Sequence, residues 1–442
     1  MGLGNSMSEG VDEAAIILRS SRMKREVQRL RATASWRIGL HLTNSVRNPL
    51  RLLLLPFSFP IYCIYLVLER LGRVSAPVRE EVVEDEIEDI SEIRNCIVLF
   101  PTNGVGFGHF TRLYALAKRL RKLDDSLEIV FFTPMPTLHV PYSDEFPTYH
   151  LAGRYKHKNM ESSTWNMLVE EMLTLVFEVH KPKSFVFDGA FPYRGMLNAI
   201  SQRKSLSKIW LRRGMFKKGS SVPVDSIGFF DTVIHPKDAV ERNVTEMIHS
   251  VRTENVSPIT LIDNQEMLER SVVRSRLGLP IDCKVTYVQL GAGQINQIDS
   301  DIRTVVDTLL KNPNMYVVIG ESMLGKRVDI NLERIRIIRD YPNAIYFKGF
   351  DYSVQAGGYN SFHEMRRLRL PTLFIPNLNT GMDDQLARCL VAKEEGWGEV
   401  LESVTPETVD YALLKILDKI PAPITESNGA NELAEMLIEE RI

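Results

Sequence analysis

The sequence predicts an α/β protein with two Rossmann-like, doubly wound halves that face a cleft. From Asn95 to the carboxyl terminus, short apolar runs of strand length alternate with longer segments of helical periodicity, which is the pattern of βα units around a parallel sheet. This pattern occurs twice, and a glycine-containing loop follows the first apolar run of each half. The length of 442 residues accommodates about three structural units, so we also expect an appendage.

We expect a first half over residues 95–255, a second half over residues 256–442, and a hinge near residues 254–263. The predicted strands of the first half are Cys96–Phe100, Ile129–Thr133, Phe185–Phe187, Lys208–Leu211 and Thr232–His235. Those of the second half are Val285–Gln289, Tyr316–Ile319, Ala344–Phe347 and Thr372–Ile375. Predicted helices include Leu113–Lys122, Ile298–Leu310, Tyr359–Leu368, Asp384–Glu395 and a last one, Asn431–Glu440, that packs back across the cleft.

The net charge of −2 conceals two segments of opposite charge. Residues 1–74 contain eleven basic and five acidic residues, whereas residues 75–94 contain eight acidic and two basic ones. We interpret residues 1–74 as a basic and apolar helical appendage and residues 75–94 as an acidic linker. The arginines accompany an aliphatic run and not interleaved aromatic residues, so a nucleic-acid partner is not expected.

The appendage contains an uncharged apolar run, Leu52–Leu68, of 17 residues. A membrane-spanning helix needs about 20 such residues, and Pro56 and Pro60 would break the helical ladder. Basic residues flank the run on both sides, which favours a re-entrant or interfacial element. We therefore expect residues 15–74 to contact the inner face of the cell membrane, with the protein cytoplasmic and peripheral or monotopic. The alternative is a buried helical hairpin that packs on the body or forms a homo-oligomer.

The four cysteines are far apart and form no CxxC pair. This spacing argues against a zinc site or a disulfide framework and is typical of a reducing cytosol. No metal ligand set is predicted at any other position.

The first candidate site is the glycine-rich loop that contains Gly106, Gly108 and His109. It lies between a predicted strand and a predicted helix, where glycines allow close backbone approach and free amides favour anionic or polar groups. A histidine at such a helix start can act as a general base when a carboxylate orients it. Asp188, which ends another strand, is the candidate partner, and a turn cap is the alternative role for it.

The second candidate site is the segment from Gln355 to Glu364. Gly357 and Gly358 fit close approach to a diphosphate at a helix start, and the carboxylate of Glu364 lies where it could accept both hydroxyls of a ribose. A polar loop then leads into the next helix, where Asp384 and Gln385 are candidates to hold sugar hydroxyls. His363 is interpreted as structural.

With these motifs, the body resembles the GT-B glycosyltransferases of family 28, the family of the N-acetylglucosaminyltransferase that acts on the peptidoglycan lipid precursor. The resemblance covers roughly Asn95 to the carboxyl terminus. It implies a UDP-sugar donor held by the second half, an acceptor held by the first half, inversion at the anomeric carbon, and no metal or other cofactor. The acceptor is then a lipid-linked or polysaccharide chain in the bacterial envelope, and the sugar N-acetylglucosamine or a related hexose.

The resemblance also implies residue roles. Gly108 and His109 match the acceptor-side loop, and Glu364 matches the ribose-binding carboxylate. The positions matching donor-binding elements are Gly291, Gly293 and Gln294 near the diphosphate, Phe350 at the uracil, Gly357 and Gly358 at the phosphates, and Asp384 and Gln385 at the sugar. We expect His109, oriented by Asp188, to deprotonate the acceptor hydroxyl. Arg212 or Arg213 would stabilise the leaving diphosphate.

Two departures from the family pattern concern the acceptor and the sugar. Arg112 replaces the proline of the family's glycine-rich loop, and Asp383-Asp384-Gln385 replaces its glutamine pair. We place Arg112 with the acceptor and phosphate loop. The GxGHxxR form also resembles the UDP-sugar hydrolase of the pseudaminic acid pathway, so hydrolysis is an alternative. A non-catalytic GT-B scaffold in a polysaccharide assembly complex is another.

Overall fold

The computed structural model describes residues 33–71, 73–74, 93–102, 106–201, 203–213, 226–240, 251–291, 298–323, 332–380, 383–419, 421 and 426–440, together with residues 23, 27, 30 and 31. The chain divides into two compact units. One unit comprises residues 1–91 and 171–179, and the other comprises residues 92–170 and 180–442. The acidic linker prediction falls almost entirely outside the described residues.

In the first unit, two helices form a hairpin: α1, Ala34–Val46, and α2, Pro49–Arg70. The Asn48 side chain between them accepts hydrogen bonds from the first amides of α2, and a proline in the first turn suits a helix start. Arg37 donates to both carboxylate oxygens of Glu69 at 2.8 and 2.9 Å, which joins the start of α1 to the end of α2. The helices are therefore antiparallel.

The expectation that two prolines would break the helical ladder in this run is wrong. Helix α2 continues through both Pro56 and Pro60 and reaches 22 residues, or about 33 Å. Each proline removes one backbone hydrogen bond, and the neighbouring turns retain theirs. Of the helices that the structure describes, α2 is the one long and apolar enough to cross a membrane.

In the second unit, the described residues form a first parallel sheet of seven strands in the order β3-β2-β1-β4-β5-β6-β7. The strands are β1 Arg94–Pro101, β2 Glu128–Thr133, β3 Thr148–His150, β4 Pro182–Asp188, β5 Ser207–Leu211, β6 Thr232–Pro236 and β7 Arg252–Val256. The five predicted strands are confirmed, and β3 and β7 were missed. Both are edge strands, which need no continuous apolar run because they are not buried on both sides.

A second parallel sheet has six strands among the described residues, in the order β10-β9-β8-β11-β12-β13. They are β8 Lys284–Gln289, β9 Met315–Gly320, β10 Ile335–Ile338, β11 Tyr352–Gln355, β12 Thr372–Phe374 and β13 Gly398–Val400. The predicted strand Ala344–Phe347 is wrong, because these residues lie in a 3₁₀ helix, Asn343–Gly349. A short buried apolar run is compatible with either a helix or a strand, so its sequence does not decide between them. The next strand of the sheet, β11, begins three residues after the 3₁₀ helix.

The other helices whose bounds lie within the described residues connect the strands or follow them. They are α3 Gly108–Leu123, α4 His139–Ser143, α5 Ser162–His180, α6 Arg194–Ser201, α7 Arg270–Arg276, α8 Ile298–Leu309, α9 Tyr359–Leu368, α10 Gln385–Glu394, α11 Pro406–Leu417 and α12 Gly429–Ile438. Further 3₁₀ turns span Arg154–Lys156, Ile227–Phe229 and Asn264–Glu266.

Both sheets have the strand order of a Rossmann fold, in which the chain reverses direction across the sheet between the first and fourth strands. In the first sheet this switch point lies between β1 and β4, and in the second between β8 and β11. Ligands of open parallel sheets bind at the carboxyl ends of the strands at such a point. The two switch points are therefore where a site is expected.

Helix α12, although last in the chain, packs against α3 of the first half. Arg119 of α3 donates to Asn431 Oδ1 at 3.1 Å and to the carbonyl oxygen of Leu261 at 3.0 Å. A side chain at Gly429 would lie 1.9 Å from the carbonyl oxygen of Ser257, so only glycine allows this close approach. The chain therefore returns across the cleft, as the sequence predicts.

Candidate active site

The switch point of the first sheet brings two predicted site residues together. Asp188 is the last residue of β4 and pairs in register with Pro101, the last residue of β1. Helix α3 then begins at Gly108, with His109 as its second residue. Gly106 lies just before this helix, and residues 103–105 of the loop are outside the described residues.

Asp188 binds His109 directly. Nδ1 of His109 lies 2.7 Å from Oδ1 of Asp188. The carboxylate is 1 % exposed, whereas the imidazole is 20 % exposed. The buried carboxylate can therefore orient a ring that still reaches solvent, and the other ring nitrogen, Nε2, is the one available to a substrate.

Arg112 contacts both members of this pair. Its Nε and Nη2 donate to the two oxygens of Asp188 at 2.8 and 2.7 Å, and Nη2 also lies 2.9 Å from Nδ1 of His109. The side chain is 2 % exposed. Its guanidinium is thus directed at Asp188, whereas the sequence predicts a place for Arg112 in the acceptor and phosphate loop.

These contacts shift the pKa values of the pair. Burial lowers the pKa of His109, Asp188 opposes this effect, and Arg112 and Arg213 lower the pKa further. Burial alone would raise the pKa of Asp188, but the charges of Arg112 and His109 bring it below its ordinary value. At neutral pH the pair is therefore an ionised carboxylate beside a neutral imidazole.

At the second switch point, Gly357 and Gly358 follow β11 and precede helix α9. A side chain at Gly357 would lie 2.4 Å from Sγ of Cys389, so packing against α10 already requires a glycine there. At Gly358, no heavy atom of the described residues lies within 4 Å of an added Cβ. Gly291 follows β8 in a left-handed conformation with a φ of 94°. Gly293 and Gln294 lie outside the described residues.

Glu364 lies on the second turn of α9. Burial raises the pKa of its carboxyl group to about 8, and the charge of Arg367 only partly offsets this effect. Phe350, the other residue matched to the nucleoside, is 3 % exposed and stacks on Tyr287 with a centroid separation of 5.2 Å. Any contact of Phe350 with a base would therefore use its backbone.

Asp384 and Gln385 have local structural contacts. Oδ1 of Asp384 accepts from the amide of Ala387 at 3.1 Å and so caps α10. Oε1 of Gln385 accepts from the amide of Asn377 at 3.0 Å. These contacts fix the loop at the start of α10, next to Asp383.

Sequence reasoning missed an ion-pair network centred on Arg388 of α10. Arg388 is fully buried and donates to both oxygens of Asp238 at 2.8 Å, to Oδ1 of Asp383 at 2.7 Å, and to the carbonyl oxygen of Gly357 at 2.6 Å. His363 lies 3.3 Å from Asp238 through Nε2 and is fully buried, which agrees with the structural role predicted for it. A charged residue in a helix is the only sequence signal, and it resembles any solvated helical arginine.

Asp238 follows β6 of the first sheet, whereas Arg388 and His363 lie on helices of the second half. The network therefore joins the two halves. Two further contacts do the same: Thr111 Oγ1 to Tyr341 Oη at 2.9 Å, and Asn360 Nδ2 to the carbonyl oxygen of Gly108 at 3.4 Å. The start of α9 thus lies directly beside the start of α3.

Three guanidinium groups surround the ring of Tyr359, the first residue of α9. The central carbons of Arg112, Arg213 and Arg388 lie 5.5, 5.4 and 5.9 Å from the ring centroid. Arg213 also donates to Asp383 at 3.3 Å. Arg212, the neighbouring residue, is buried and lies over the ring of Trp210. Each of these three guanidinium groups also contacts an aspartate, so the positive charges beside the start of α9 are largely compensated, and the pair of Arg213 with Asp383 is the longest of them.

A possible metal-ligand set among the described residues lies elsewhere, at Cys96, Glu128 and His180. His180 binds Glu128 through Nδ1 and the hydroxyl group of Tyr149 through Nε2, each at 2.8 Å. Burial raises the pKa of the Cys96 thiol. Cys96 and Glu128 lie at the amino ends of β1 and β2, opposite the edge that carries His109, so this group is separate from the candidate active site.

The two sheets and the paired switch points define a protein of the GT-B fold. No protein-family model matches the sequence, and no curated protein matches it. Solved structures do match. A glycosyltransferase of kitacinnamycin is 14 % identical with a TM-score of 0.53, covering 78 % of this chain and 99 % of its own.

Two further structures of this fold are similar over the same part of the chain. The spinosyn forosaminyltransferase SpnP is 12 % identical with a TM-score of 0.54, covering 79 % of this chain and 95 % of its own. MnaA of S. aureus, in a co-structure with UDP, is 12 % identical with a TM-score of 0.52, covering 78 % and 95 %. At these identities the likeness establishes the fold, and the predicted GT-B architecture is confirmed.

Proposed function

We propose that this chain is an inverting, metal-independent glycosyltransferase that moves a sugar from a UDP-sugar to a lipid-linked or polysaccharide acceptor. The observation that carries the proposal is the position of the His109–Asp188 pair at one switch point, beside the helix start of the other. The 3.4 Å contact between Asn360 and Gly108 joins these two places. A base on one half and an anion-binding helix start on the other are what sugar transfer in a GT-B cleft requires.

In the proposed reaction, Nε2 of His109 takes the proton of an acceptor hydroxyl group. The acceptor oxygen forms a bond to C1 of the donor sugar from the face opposite the diphosphate, and the bond between C1 and the diphosphate oxygen breaks. UDP leaves with the electron pair, and the configuration at C1 is inverted. Asp188 stabilises the resulting imidazolium through Nδ1–H.

On the donor side, Glu364 would accept the ribose hydroxyls, and amides near Gly291 and Gly358 would bind the diphosphate. No heavy atom of the described residues lies within 4 Å of an added Cβ at Gly358 or at Gly291, and the latter has a left-handed φ, which supports this assignment. Arg213 is the guanidinium of the first half best placed to stabilise the leaving group, since its pair with Asp383 is only partly buried. The UDP in the MnaA co-structure supports a uridine nucleotide.

The contacts of three aspartates in the cleft support the proposed metal independence. Asp188, Asp238 and Asp383 each bind an arginine at 2.8 Å or less. A divalent cation would have to displace these arginines. In this proposal Arg213, whose contact with Asp383 is long and only partly buried, supplies positive charge to the diphosphate leaving group.

We further propose that the hairpin of α1 and α2 binds the inner face of the cell membrane, where a lipid-linked acceptor is found. Exposed apolar residues repeat along one face of α2, and Leu53, Phe57 and Ile61 are 77 %, 72 % and 67 % exposed. Arg47 and Arg51 lie at the turn, and Arg70 lies at the other end. An apolar stripe with basic residues at both ends suits a helix lying in an anionic interface.

The test is to incubate the full-length chain with a panel of UDP-sugars, with and without a membrane lipid extract, and to measure UDP release and labelled lipid. A transferase releases UDP rapidly only with the extract and labels a lipid product. UDP-sugar consumption at full rate without an acceptor would identify a hydrolase. Binding of UDP-sugar without turnover under either condition would identify a non-catalytic scaffold.

A further inference from the structure

We propose that Arg112 is a positioning residue that fixes Asp188 against His109 and keeps the imidazole neutral, as a base requires. The inference rests on the proposed function, because it assigns His109 as the base. It goes beyond that function by assigning a role to Arg112, which lies on α3 about one helical turn after His109.

The carboxylate of Asp188 is held in a fixed orientation by Arg112. Arg112 binds Asp188 in a bidentate manner, through Nε to Oδ2 and through Nη2 to Oδ1, and both side chains are at most 2 % exposed. A bidentate guanidinium fixes the plane of a carboxylate more tightly than a single hydrogen bond does. Oδ1, the oxygen that faces His109, is therefore held in one position.

Two groups, Asp188 and Arg112, contact Nδ1 of His109 and bear on whether it carries the proton. A guanidinium nitrogen can only donate, and Nη2 of Arg112 lies 2.9 Å from Nδ1, whereas Oδ1 of Asp188 lies 2.7 Å from it. If Nδ1 carries the proton, it donates to Asp188 and Nε2 is a free acceptor. If Nδ1 lacks the proton, Arg112 donates to it and Nε2 carries the proton. Only the first tautomer is a base toward an acceptor hydroxyl. The ionised carboxylate of Asp188 is the nearer group and favours this tautomer, and Nη2 of Arg112 is then bound to Oδ1 of Asp188 at 2.7 Å.

The charges around the imidazole of His109 determine whether it is neutral. Among the residues that the structure describes, the charged groups that face His109 are Asp188 from β4, Arg112 from its own helix and Arg213 after β5. A single buried carboxylate would favour the imidazolium and leave no base at neutral pH. With Arg112 bound to Asp188, the carboxylate orients the ring while its charge is largely compensated. The imidazole therefore remains neutral and ready to accept a proton.

The experiment compares the wild type with Arg112→Met and Arg112→Lys in pH profiles of kcat/KM for UDP-sugar turnover. We expect the acidic limb of Arg112→Met to move to higher pH by about 1 to 2 units, because an opposite charge is removed from Asp188. Arg112→Lys should restore part of the shift, since lysine keeps the charge but not the bidentate contact. The matched control is Arg119→Met, which removes an equally buried arginine from the same helix, bound there to Asp263.

A second readout does not depend on activity. In the full-length chain labelled with ¹⁵N-histidine, with signals assigned by His109→Gln, the wild type should show a neutral Nδ1–H imidazole at pH 7. In Arg112→Met the imidazolium signals should persist to a pH about 1 to 2 units higher than in the wild type. If Arg112→Met loses stability as Arg119→Met does while the acidic limb and the His109 signals stay as in the wild type, Arg112 is only structural and the proposal is wrong. If the wild type turns over no UDP-sugar, the proposed function fails, and the histidine spectra still decide the inference on Arg112.

Discussion

Two groups in this molecule consist of the same three residue types, histidine, aspartate and arginine, and yet they differ in what they can do. We call them the open triad and the sealed triad. The open triad is His109, Asp188 and Arg112, and the sealed triad is His363, Asp238 and Arg388. In both, the arginine binds the aspartate through two hydrogen bonds of 2.7 to 2.8 Å. In both, burial lowers the pKa of the histidine.

The difference lies in exposure and in what each triad joins. His109 is 20 % exposed and lies 2.7 Å from its carboxylate, whereas His363 is fully buried and lies 3.3 Å from its own. The open triad belongs to one sheet and its adjoining helix, while the sealed triad joins the two halves of the cleft. Whether such a histidine can exchange a proton with a substrate therefore depends on its exposure to solvent, which the three residue types alone do not determine.

The largest expected effect is that of His109→Gln in the open triad. Glutamine keeps a hydrogen bond to Asp188 but cannot accept a proton in the reaction, so kcat should fall by about 10²- to 10⁴-fold. UDP affinity, measured by calorimetry, should stay within about threefold of the wild type, since the proposed donor site lies on the other half. Turnover at the wild-type rate would show that another group is the base.

Asp238→Asn should have the next largest effect, and on stability. It leaves the buried Arg388 with only Asp383 as an ionised partner, which should lower the free energy of unfolding by about 3 kcal/mol in urea at pH 7. Burial alone would raise the pKa of Asp238, but Arg388 and His363 lower it below its ordinary value of 3.8. The stability from this carboxylate is therefore present above that pH and lost only in stronger acid.

The matched control for this prediction is Asp410→Asn. It breaks an exposed pair with Lys311 in which both side chains are at least half exposed, and it should cost less than about 1 kcal/mol. Equal losses in the two variants would mean that the sealed triad does not hold the halves together.

Glu364→Gln sharpens the comparison because no arginine of the described residues forms an ion pair with Glu364, unlike Asp188 and Asp238. If its carboxylate accepts ribose hydroxyls, the affinity for UDP-sugar should fall by about 10- to 100-fold, and Glu394→Gln, an exposed change on α10, should leave it unchanged. Wild-type affinity should rise as the pH passes through about 8, where Glu364 ionises. Without ligand, the free energy of unfolding should fall as the pH rises from 4.5, the ordinary pKa of Glu364, to about 8, and stay lower above that pH. The reason is that the unfolded chain loses the proton of Glu364 at a lower pH than the folded chain does.

An affinity for UDP-sugar that is independent of pH in the wild type, and unchanged in Glu364→Gln, would exclude the ribose role. An affinity that falls in Glu394→Gln as well would point to a general loss of charge on this half.

The smallest effect is expected for His363→Gln in the sealed triad. A glutamine amide can donate to Asp238 as Nε2 of His363 does, and no proton transfer is assigned to this residue. We expect kcat within about threefold of the wild type and an unchanged acidic limb of the pH profile. A loss comparable to that of His109→Gln would show that the two triads act as one system.

Much of the fold was predictable because buried parallel strands produce continuous apolar runs. All five strands predicted in the first half are present, and so are three of the four in the second. The edge strands β3 and β7 were missed since they need no such run, and Ala344–Phe347 was assigned as a strand because a buried 3₁₀ helix is equally apolar. The prolines of α2 misled for a different reason, since a helix tolerates isolated losses of a hydrogen bond.

The candidate site divides in the same way. His109 and Asp188 were predictable as neighbours, because each follows a strand whose carboxyl end meets the other at the switch point. Asp238 and Arg388 are 150 residues apart and lie on different halves, so no local pattern connects them.

The sequence by itself determined the two halves, their glycine-rich loops, the base and carboxylate candidates, and an apolar appendage between basic residues. These features follow from periodicity and from residue types next to strand ends, which are local properties of a chain. Only the tertiary structure decided which histidine reaches solvent, that Arg112 binds Asp188, and that Arg388 links the two halves. Burial and ion pairing depend on what distant segments bring together, and a sequence read along its length does not contain those distances.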